Sequence, residues 1–357
     1  MTRSMAPAAR RAARPAPRAA VPTLSDVAAK AAVDVSTASR VLRGEQGQRV
    51  RDETRARILA AADALGYRAN PVARALRTAR THTLGIAVPQ LDNPVFAAAI
   101  AGAERVAAAR GYALLISHLE DALPAKDAYA RLAQLNRVDG LLAATLEEDA
   151  PFAEALAEAG VPFVALNRVL PGACSVALDN LAAARVAIDH LVSLGHRRIA
   201  HLAGRVGGWN GQGRLAGWRA ALKAHGIRHD PELVEHAGYT ASGGAAAMAA
   251  LLARVRTRPT AVLAATLVSA AGALRTLRQA GLAVPGDISV VALHDGPVAE
   301  LVEPQLTTVA LPAEAMGAAG AEALIAMIEG GATSAAATLL PPGGLVRRAS
   351  TGPAPER

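Results

Sequence analysis

Between Thr23 and Leu65 the apolar residues recur at intervals of three and four, the spacing of helices with one buried face. Thr23 is placed to cap a first helix running to about Ala31, with Asp26 in its first turn and Leu24, Val27, Ala28 and Ala31 on one face. The turn Ala32-Val33-Asp34 follows. Asp34 then opens a second helix, Val35 to Leu42, with Val41 and Leu42 facing inward. A polar loop, Arg43 to Arg51, leads to a third helix, Asp52 to Leu65, closed by Gly66 and striped by Ile58, Ala61, Ala62 and Leu65. Three short helices around so small a core predict a helix-turn-helix unit.

From Thr83 onward the pattern changes to runs that are apolar throughout. They are Leu84–Val88, Tyr112–Ser117, Gly140–Thr145, Pro162–Asn167, Ser175–Asp179, Arg198–Ala203, Leu233–Tyr239, Ala261–Thr266 and Ile288–His294. Helical stretches fit between most of them, among them Pro94–Arg110, Asn180–Leu194, Gly213–His225 and Leu267–Ala280. Strands without alternation are covered on both faces, which means parallel sheets with helices on either side. The fold class expected is therefore α/β, with an all-α head followed by two doubly wound parallel-sheet lobes.

Charge sharpens the picture of the head. Residues 1–80 hold 16 Lys and Arg against 6 Asp and Glu, a net of +10, and the rest of the chain nets −2. A basic end on a near-neutral body points to a polyanionic partner met by that end. In a helix-turn-helix unit the second helix enters the DNA major groove. Its solvent-facing positions here are Val35, Ser36, Ser39 and Arg40. Arginine suits the O6/N7 pair of guanine, Ser36 and Thr37 can reach bases or phosphates, and Val35 offers apolar contact. Asn70-Pro71 is a strong start signal for a further helix through Arg77, but one too short to be stable unsupported.

Composition bounds the rest. The chain has 357 residues, 52% apolar and 3% aromatic, much of it alanine, so many closely packed helices are expected. The one cysteine, Cys174, excludes an intramolecular disulfide and reads as a small core residue. No stretch is long and apolar enough to span a bilayer, residues 261–274 coming nearest, and no apolar segment follows the early arginines, so a cytoplasmic location in a bacterial nucleoid is expected. Residues 1–22, rich in Ala, Pro and Arg, read as a disordered basic arm.

LSDVAAKA, VSTASRVL, ETRARILAAADALGYRANPVARALRT and RTHTLGI resemble the DNA-binding head and hinge of the LacI/GalR family of bacterial repressors. SVALDNLAAARVAIDHLVSLGHRRIAHLAG, PGDISVVALHDG and PQLTTVALPAEAMG resemble its effector-binding core, which is similar to periplasmic sugar-binding proteins. The resemblance implies a helix-turn-helix domain at 23–69, a hinge helix and linker at 70–82, and an effector core at 83–357. It divides that core into lobe 1 (83–178 and 307–332) and lobe 2 (179–306 and 333–350), with crossings near Asp179, Pro304–Thr307 and Ala332–Leu340. It also implies a homodimer on double-stranded operator DNA. Contacts from Thr23, Val35, Ser36, Thr37, Ser39 and Arg40 would be joined by hinge residues Asn70, Ala73, Arg74 and Leu76, the leucine wedging into the minor groove.

Ligands of open α/β sheets sit at the carboxyl ends of strands. The effector candidates are Asp92, Asn93, Phe96, Asn167, Arg168, Asp179, Arg214, Thr266, His294 and Asp295, with Arg214 matching a ligand-binding arginine of the family. Amide, carboxylate and guanidinium groups beside an aromatic wall suit a sugar or sugar derivative. Several positions depart from the family pattern. Ala32 stands for a turn glycine and Asp34 for a serine. Asn167, Thr266-Leu267 and His294 stand where acidic or amide residues are usual, which leaves the ligand's chemistry open.

Other motifs carry less. Gly211-Gln-Gly213-Arg-Leu-Ala216 imitates a dinucleotide fingerprint but lacks the downstream acidic residue. His225 and His229 have no third ligand, His190, His196 and His201 do not converge simply, and no nucleophile elbow is present. The expectation is a regulator, usually a repressor in this family, with no catalytic residues, no metal site and no cofactor. The alternatives are a sugar-binding protein without DNA function, or an enzyme built on the α/β body.

Overall fold

The computed structural model describes residues 22–42, 50–68, 80–118, 137–144, 160–331 and 335–356. The chain divides into two compact units, Met1–Ala79 and Arg80–Arg357.

In the first unit lie helices α1 (Leu24–Lys30), α2 (Val35–Leu42) and α3 (Asp52–Leu65). Thr23 and Asp26 close a capping box at the start of α1: the Asp26 N–H donates to the Thr23 hydroxyl, and the Thr23 N–H donates to the Asp26 carboxylate. Val27, Ala28, Ala31, Ala38, Val41, Ile58, Ala61 and Ala62 form the core. Such small side chains bring the helices close but bury little area, so the turns have to hold the geometry. At the end of α1 the Val33 N–H donates to the Ala28 carbonyl (3.0 Å) and the Ala32 N–H to the Ala29 carbonyl (3.2 Å). This is a Schellman turn, and its left-handed position is Ala32, with φ +50°. From α3, Arg57 Nε donates to the Ala31 carbonyl at 2.9 Å and braces the same turn. At the end of α3 a glycine, Gly66 (φ +62°), does take the left-handed position.

The second unit carries two six-stranded sheets. The first has the order β11-β5-β4-β3-β1-β2, with β1 Thr83–Val88, β2 Ala113–His118, β3 Gly140–Ala144, β4 Phe163–Leu166, β5 Ser175–Leu178 and β11 Ala337–Leu340, all parallel. The second has the order β12-β10-β9-β8-β6-β7. Its strands are β6 Ile199–Ala203, β7 Val234–His236, β8 Ala261–Ala264, β9 Ser289–Leu293, β10 Thr307–Ala310 and β12 Gly344–Val346, and only β12 is antiparallel. The long helices are α4 (Pro94–Ala109), α5 (Asn180–Ser193), α6 (Trp209–Ala224), α7 (Ala241–Arg254), α8 (Leu267–Gln279) and α10 (Ala313–Ile328), with a short α9 at Val298–Leu301.

The chain passes between the lobes three times, and two of the passages differ from expectation. The first leaves β5 for α5, as the sequence implied. The second falls between Ala310 and Ala313, not at Pro304–Thr307, because β10 pairs with β9 in the second sheet. The third falls between Leu340 and Gly344, because β11 pairs with β5 in the first sheet. A four-residue apolar run says that a strand exists, not which sheet edge it extends.

Helix packing depends on glycine in the expected alanine-rich way. A Cβ on Gly102 would collide with the Glu314 carbonyl, and one on Gly317 with that of Ala99, so α4 and α10 touch backbone to backbone. Gly244 against Ser269 and Gly272 against Ala241 do the same for α7 and α8. The dinucleotide-like glycines belong to this scheme. Helix α6 starts at Trp209, before them, and Cβ atoms on Gly211 and Gly213 would stand 2.7 Å from the Arg205 carbonyl and 3.1 Å from the Asn180 Cβ, while one on Gly217, just beyond the motif, would stand 2.5 Å from the Leu181 carbonyl. The C-terminal segment is fixed to the second lobe: Ser350 is buried, donates to the Val290 carbonyl (2.6 Å) and accepts from the Thr307 N–H (2.8 Å).

Alanine in a left-handed turn costs about 1–2 kcal/mol, partly offset in a glycine by greater freedom of the unfolded chain. Ala32→Gly is therefore expected to stabilise the first unit by about 0.5–1 kcal/mol in thermal or urea unfolding. A lowered midpoint would refute strain at this turn.

Candidate nucleic-acid interface and effector cleft

On α2 the polar row is built by helix periodicity. Ala38 and Val41 are buried against α1 and α3, which turns Val35, Ser36 and Arg40 to solvent and leaves Thr37 and Ser39 half-buried. Val35 keeps 45% of its surface exposed, a high value for a β-branched side chain opening a helix. Lys30 and Arg51, also exposed, add positive charge to the same unit. Thr23 is exposed too, with its hydroxyl engaged in the α1 cap. The hinge candidates Asn70, Ala73, Arg74 and Leu76 lie outside the described residues, as does the arm up to residue 21.

In the second unit a cavity of about 20 Å³ lies between the lobes, lined by Asn93, Val95, Phe96 and Asn167 from the first and Asn210, Arg214, Tyr239 and Thr266 from the second. That volume holds little more than one water molecule, so a sugar-sized ligand requires the lobes to part. Local structure places each group. Asn93 caps α4, its side-chain Oδ1 accepting from the Val95 N–H (3.2 Å). Thr266 caps α8 in a capping box with Ser269. Asn167 follows β4 at φ +60°.

One hydrogen-bonded chain ties these groups together. Asn210 Nδ2 donates across the cleft to the Asn167 carbonyl (2.8 Å) and Asn180 Nδ2 donates to Asn210 Oδ1 (2.7 Å). Arg214 Nε donates to Asn180 Oδ1 (2.7 Å) and Arg214 Nη1 to the Ala265 carbonyl (2.7 Å). Arg214 is only 3% exposed, and its guanidinium carbon lies 5.8 Å from the centre of the Tyr239 ring. Burial lowers its pKa. Asn167 Oδ1 and His294 Nδ1 are buried with no hydrogen-bond partner.

Of the ten effector candidates, Asn93, Phe96, Asn167, Arg214 and Thr266 line this cavity. Arg168 and His294 are buried, and His294, with φ +72°, is near enough to Arg214 for that charge to help lower its pKa. The three carboxylates are placed otherwise. Asp92 is exposed on a loop. Asp179 accepts from the Ala182 N–H (2.9 Å) as the cap of α5. Asp295 is held by Arg348 (2.7 and 3.2 Å) and by the Thr308 hydroxyl (2.7 Å). Burial alone would raise the Asp295 carboxyl, but these donors keep it below its ordinary value.

Asn210, Tyr239, Val95 and the linking Asn180 were not anticipated. Asn210 stands four residues before Arg214, one helical turn away, a signal hidden by starting the helix at Gly213. Cys174 is half-buried and burial pushes its thiol up, as for an unreactive core cysteine. No group of three metal-ligating side chains occurs among the described residues.

A basic three-helix unit with a polar row on its second helix, followed by two parallel-sheet lobes around a polar cleft, defines a ligand-responsive DNA-binding protein. Comparison with known proteins identifies the family. Residues 23–70 match bacterial regulatory proteins of the lacI family, and residues 188–351 match a periplasmic binding protein-like domain. The HTH-type transcriptional regulator CelR of Thermobifida fusca is 37% identical over 321 residues, 87% of this chain and 93% of that one. GalR of Escherichia coli K12 is 34% identical over 312 residues, covering 86% and 89%. Among solved structures, a CelR–cellobiose complex is 34% identical with a TM-score of 0.72, and the lac repressor dimer bound to operator and the anti-inducer ONPF is 29% identical with a TM-score of 0.82. Each covers 92% of this chain and 99% of its own. The chain belongs to the LacI family, and it is a DNA-binding transcriptional regulator, not an enzyme.

Buried histidines give the fold an acid limit. Burial pushes His201 down to about 4, with the nearby Arg214 charge adding to the effect, and burial and then Arg214 push His294 down to about 4. Unfolded, each titrates near 6.5. The unfolded chain thus takes up protons first as pH falls, so this contribution to stability is complete above about 6.5 and is lost between there and about 4. The melting temperature of the protein should drop across that window, and His294→Gln should flatten the drop. A profile unchanged by His294→Gln would remove His294 from this account.

Proposed function

We propose that the protein works as a homodimer in the bacterial cytoplasm, on the nucleoid, as a repressor whose hold on a pseudo-palindromic operator is set by a small molecule in the cleft. The observation that carries this reading is the Asn210–Asn167 bond. It closes the cleft across the two lobes, and a ligand lying between Asn93, Asn167, Asn210 and Arg214 has to displace or re-span it. The lobe angle is then a ligand-dependent quantity. A sugar or sugar derivative fits a site of amides, a guanidinium and aromatic rings, as in the relative solved with cellobiose.

In this reading Arg40, with Val35, Ser36, Thr37 and Ser39, reads base edges from the major groove, and other basic groups of the head contact phosphates. Residues 70–77, with Leu76 as the wedge beside Ala73 and Arg74, transmit the lobe angle to the DNA. The ligand acts only through its different affinity for the two lobe arrangements.

The test is fluorescence anisotropy on a duplex selected from genomic fragments. Arg40→Ala is expected to cost about 1–3 kcal/mol at the selected site and to relax the choice of sequence there. The wild-type affinity should fall linearly in log–log form as salt rises. Equal weakening by Arg40→Ala on all sequences would refute base reading, and salt-independent affinity would refute the electrostatic grip.

A further inference from the structure

The charge of the cleft points to the chemistry of its ligand. Arg214 is buried to within 3% of complete, yet both of its hydrogen-bond acceptors among the described residues are neutral: the Asn180 side-chain oxygen and the Ala265 carbonyl. Among the described residues no carboxylate lines the cavity, and the three acids among the effector candidates, Asp92, Asp179 and Asp295, are committed to solvent, to a helix cap and to Arg348. A buried guanidinium normally finds a counter-charge, because leaving it unpaired in a medium of low dielectric is costly.

The helices add to the same sign. Four of them, α4, α5, α6 and α8, begin at the cleft, contributing Asn93, Asn180, Asn210 and Thr266 from their first turns or caps. Their positive dipole ends therefore meet around Arg214. The cap position of α6, Gly208, offers no side chain to the N–H groups of that helix. A guanidinium has five N–H donors, and two of Arg214's are used. Opposite stands an acceptor, the buried and unpartnered Asn167 Oδ1, which calls for a donor on the ligand.

Resting on the reading of the cleft as the effector site, we infer that the effector is an anionic hydroxylated molecule, carrying a carboxylate or phosphate for Arg214 and a hydroxyl for Asn167. A sugar acid or a sugar phosphate has this make-up. A neutral sugar leaves the buried charge without a counter-ion.

Matched pairs test it by titration calorimetry on the full-length protein: glucuronate against glucose, galacturonate against galactose, and glucose 6-phosphate against glucose. At least one anion should bind about tenfold or more tightly than its neutral partner, as charge-assisted hydrogen bonds do. The carboxylate and phosphate arms separate the two sources of charge. Arg214→Gln should abolish the preference, and Arg214→Lys, which keeps the charge, should retain it, with circular dichroism reporting that both variants are folded. Equal or tighter binding of the neutral member in each pair that binds overturns the anionic assignment while leaving the effector cleft standing. A preference that survives intact in a folded Arg214→Gln overturns the assignment of the anion to Arg214. Absence of binding by any member overturns the cleft reading, and the anionic assignment with it.

Discussion

A guanidinium sealed from water has to be held by something, and in this protein it is held by amides. Arg214 stands at one end of a hydrogen-bonded chain that runs through Asn180 and Asn210 and crosses to the first lobe at Asn167. Breaking any member would leave a buried donor or acceptor unmatched, which costs more than a surface bond gains. Helix starts and the left-handed backbone at Asn167 meet at this seam, and there burial, with Arg214 adding to it, depresses the pKa of His294.

That seam is also the place where the lobes can move. Elsewhere each lobe is closed by contacts with no tolerance: α4 lies against α10, and α7 against α8, at glycines where even a methyl group would collide with a neighbouring carbonyl. Such packing makes each lobe rigid, because a close-packed interior does not deform gradually. A change of lobe angle would then act on the three connecting segments and on the Asn210–Asn167 hydrogen bond across the cleft. Rigid lobes joined by thin connections turn a small change at a ligand into a change of angle, and the coupling runs equally in both directions.

Family membership and the details of the site come apart at particular residues. Arg214 is buried at the cleft, Thr266 serves as a helix cap, burial holds His294 below its ordinary pKa, and Asn167 presents an unmatched oxygen. A frame shared with a relative solved with cellobiose does not by itself fix the ligand.

Much was legible in the sequence because it is local. The capping signal at Thr23, the three- and four-residue periodicity of the head and the apolar runs of the parallel strands each depend on neighbours along the chain, and each is found in the structure. The left-handed turn at Ala32 was readable from the family pattern, in which a glycine is usual there. What tertiary structure alone decided is which polar groups meet. Nothing along the chain distinguishes Asp295, bound to Arg348 from 53 positions away, from an acid facing the cleft, or marks Tyr239 as a neighbour of Arg214. Nor does it say that β10 and β11 join opposite sheets. A side chain's type fixes what it can bond to, but only the folded chain, by exhausting the alternatives, fixes what it does bond to.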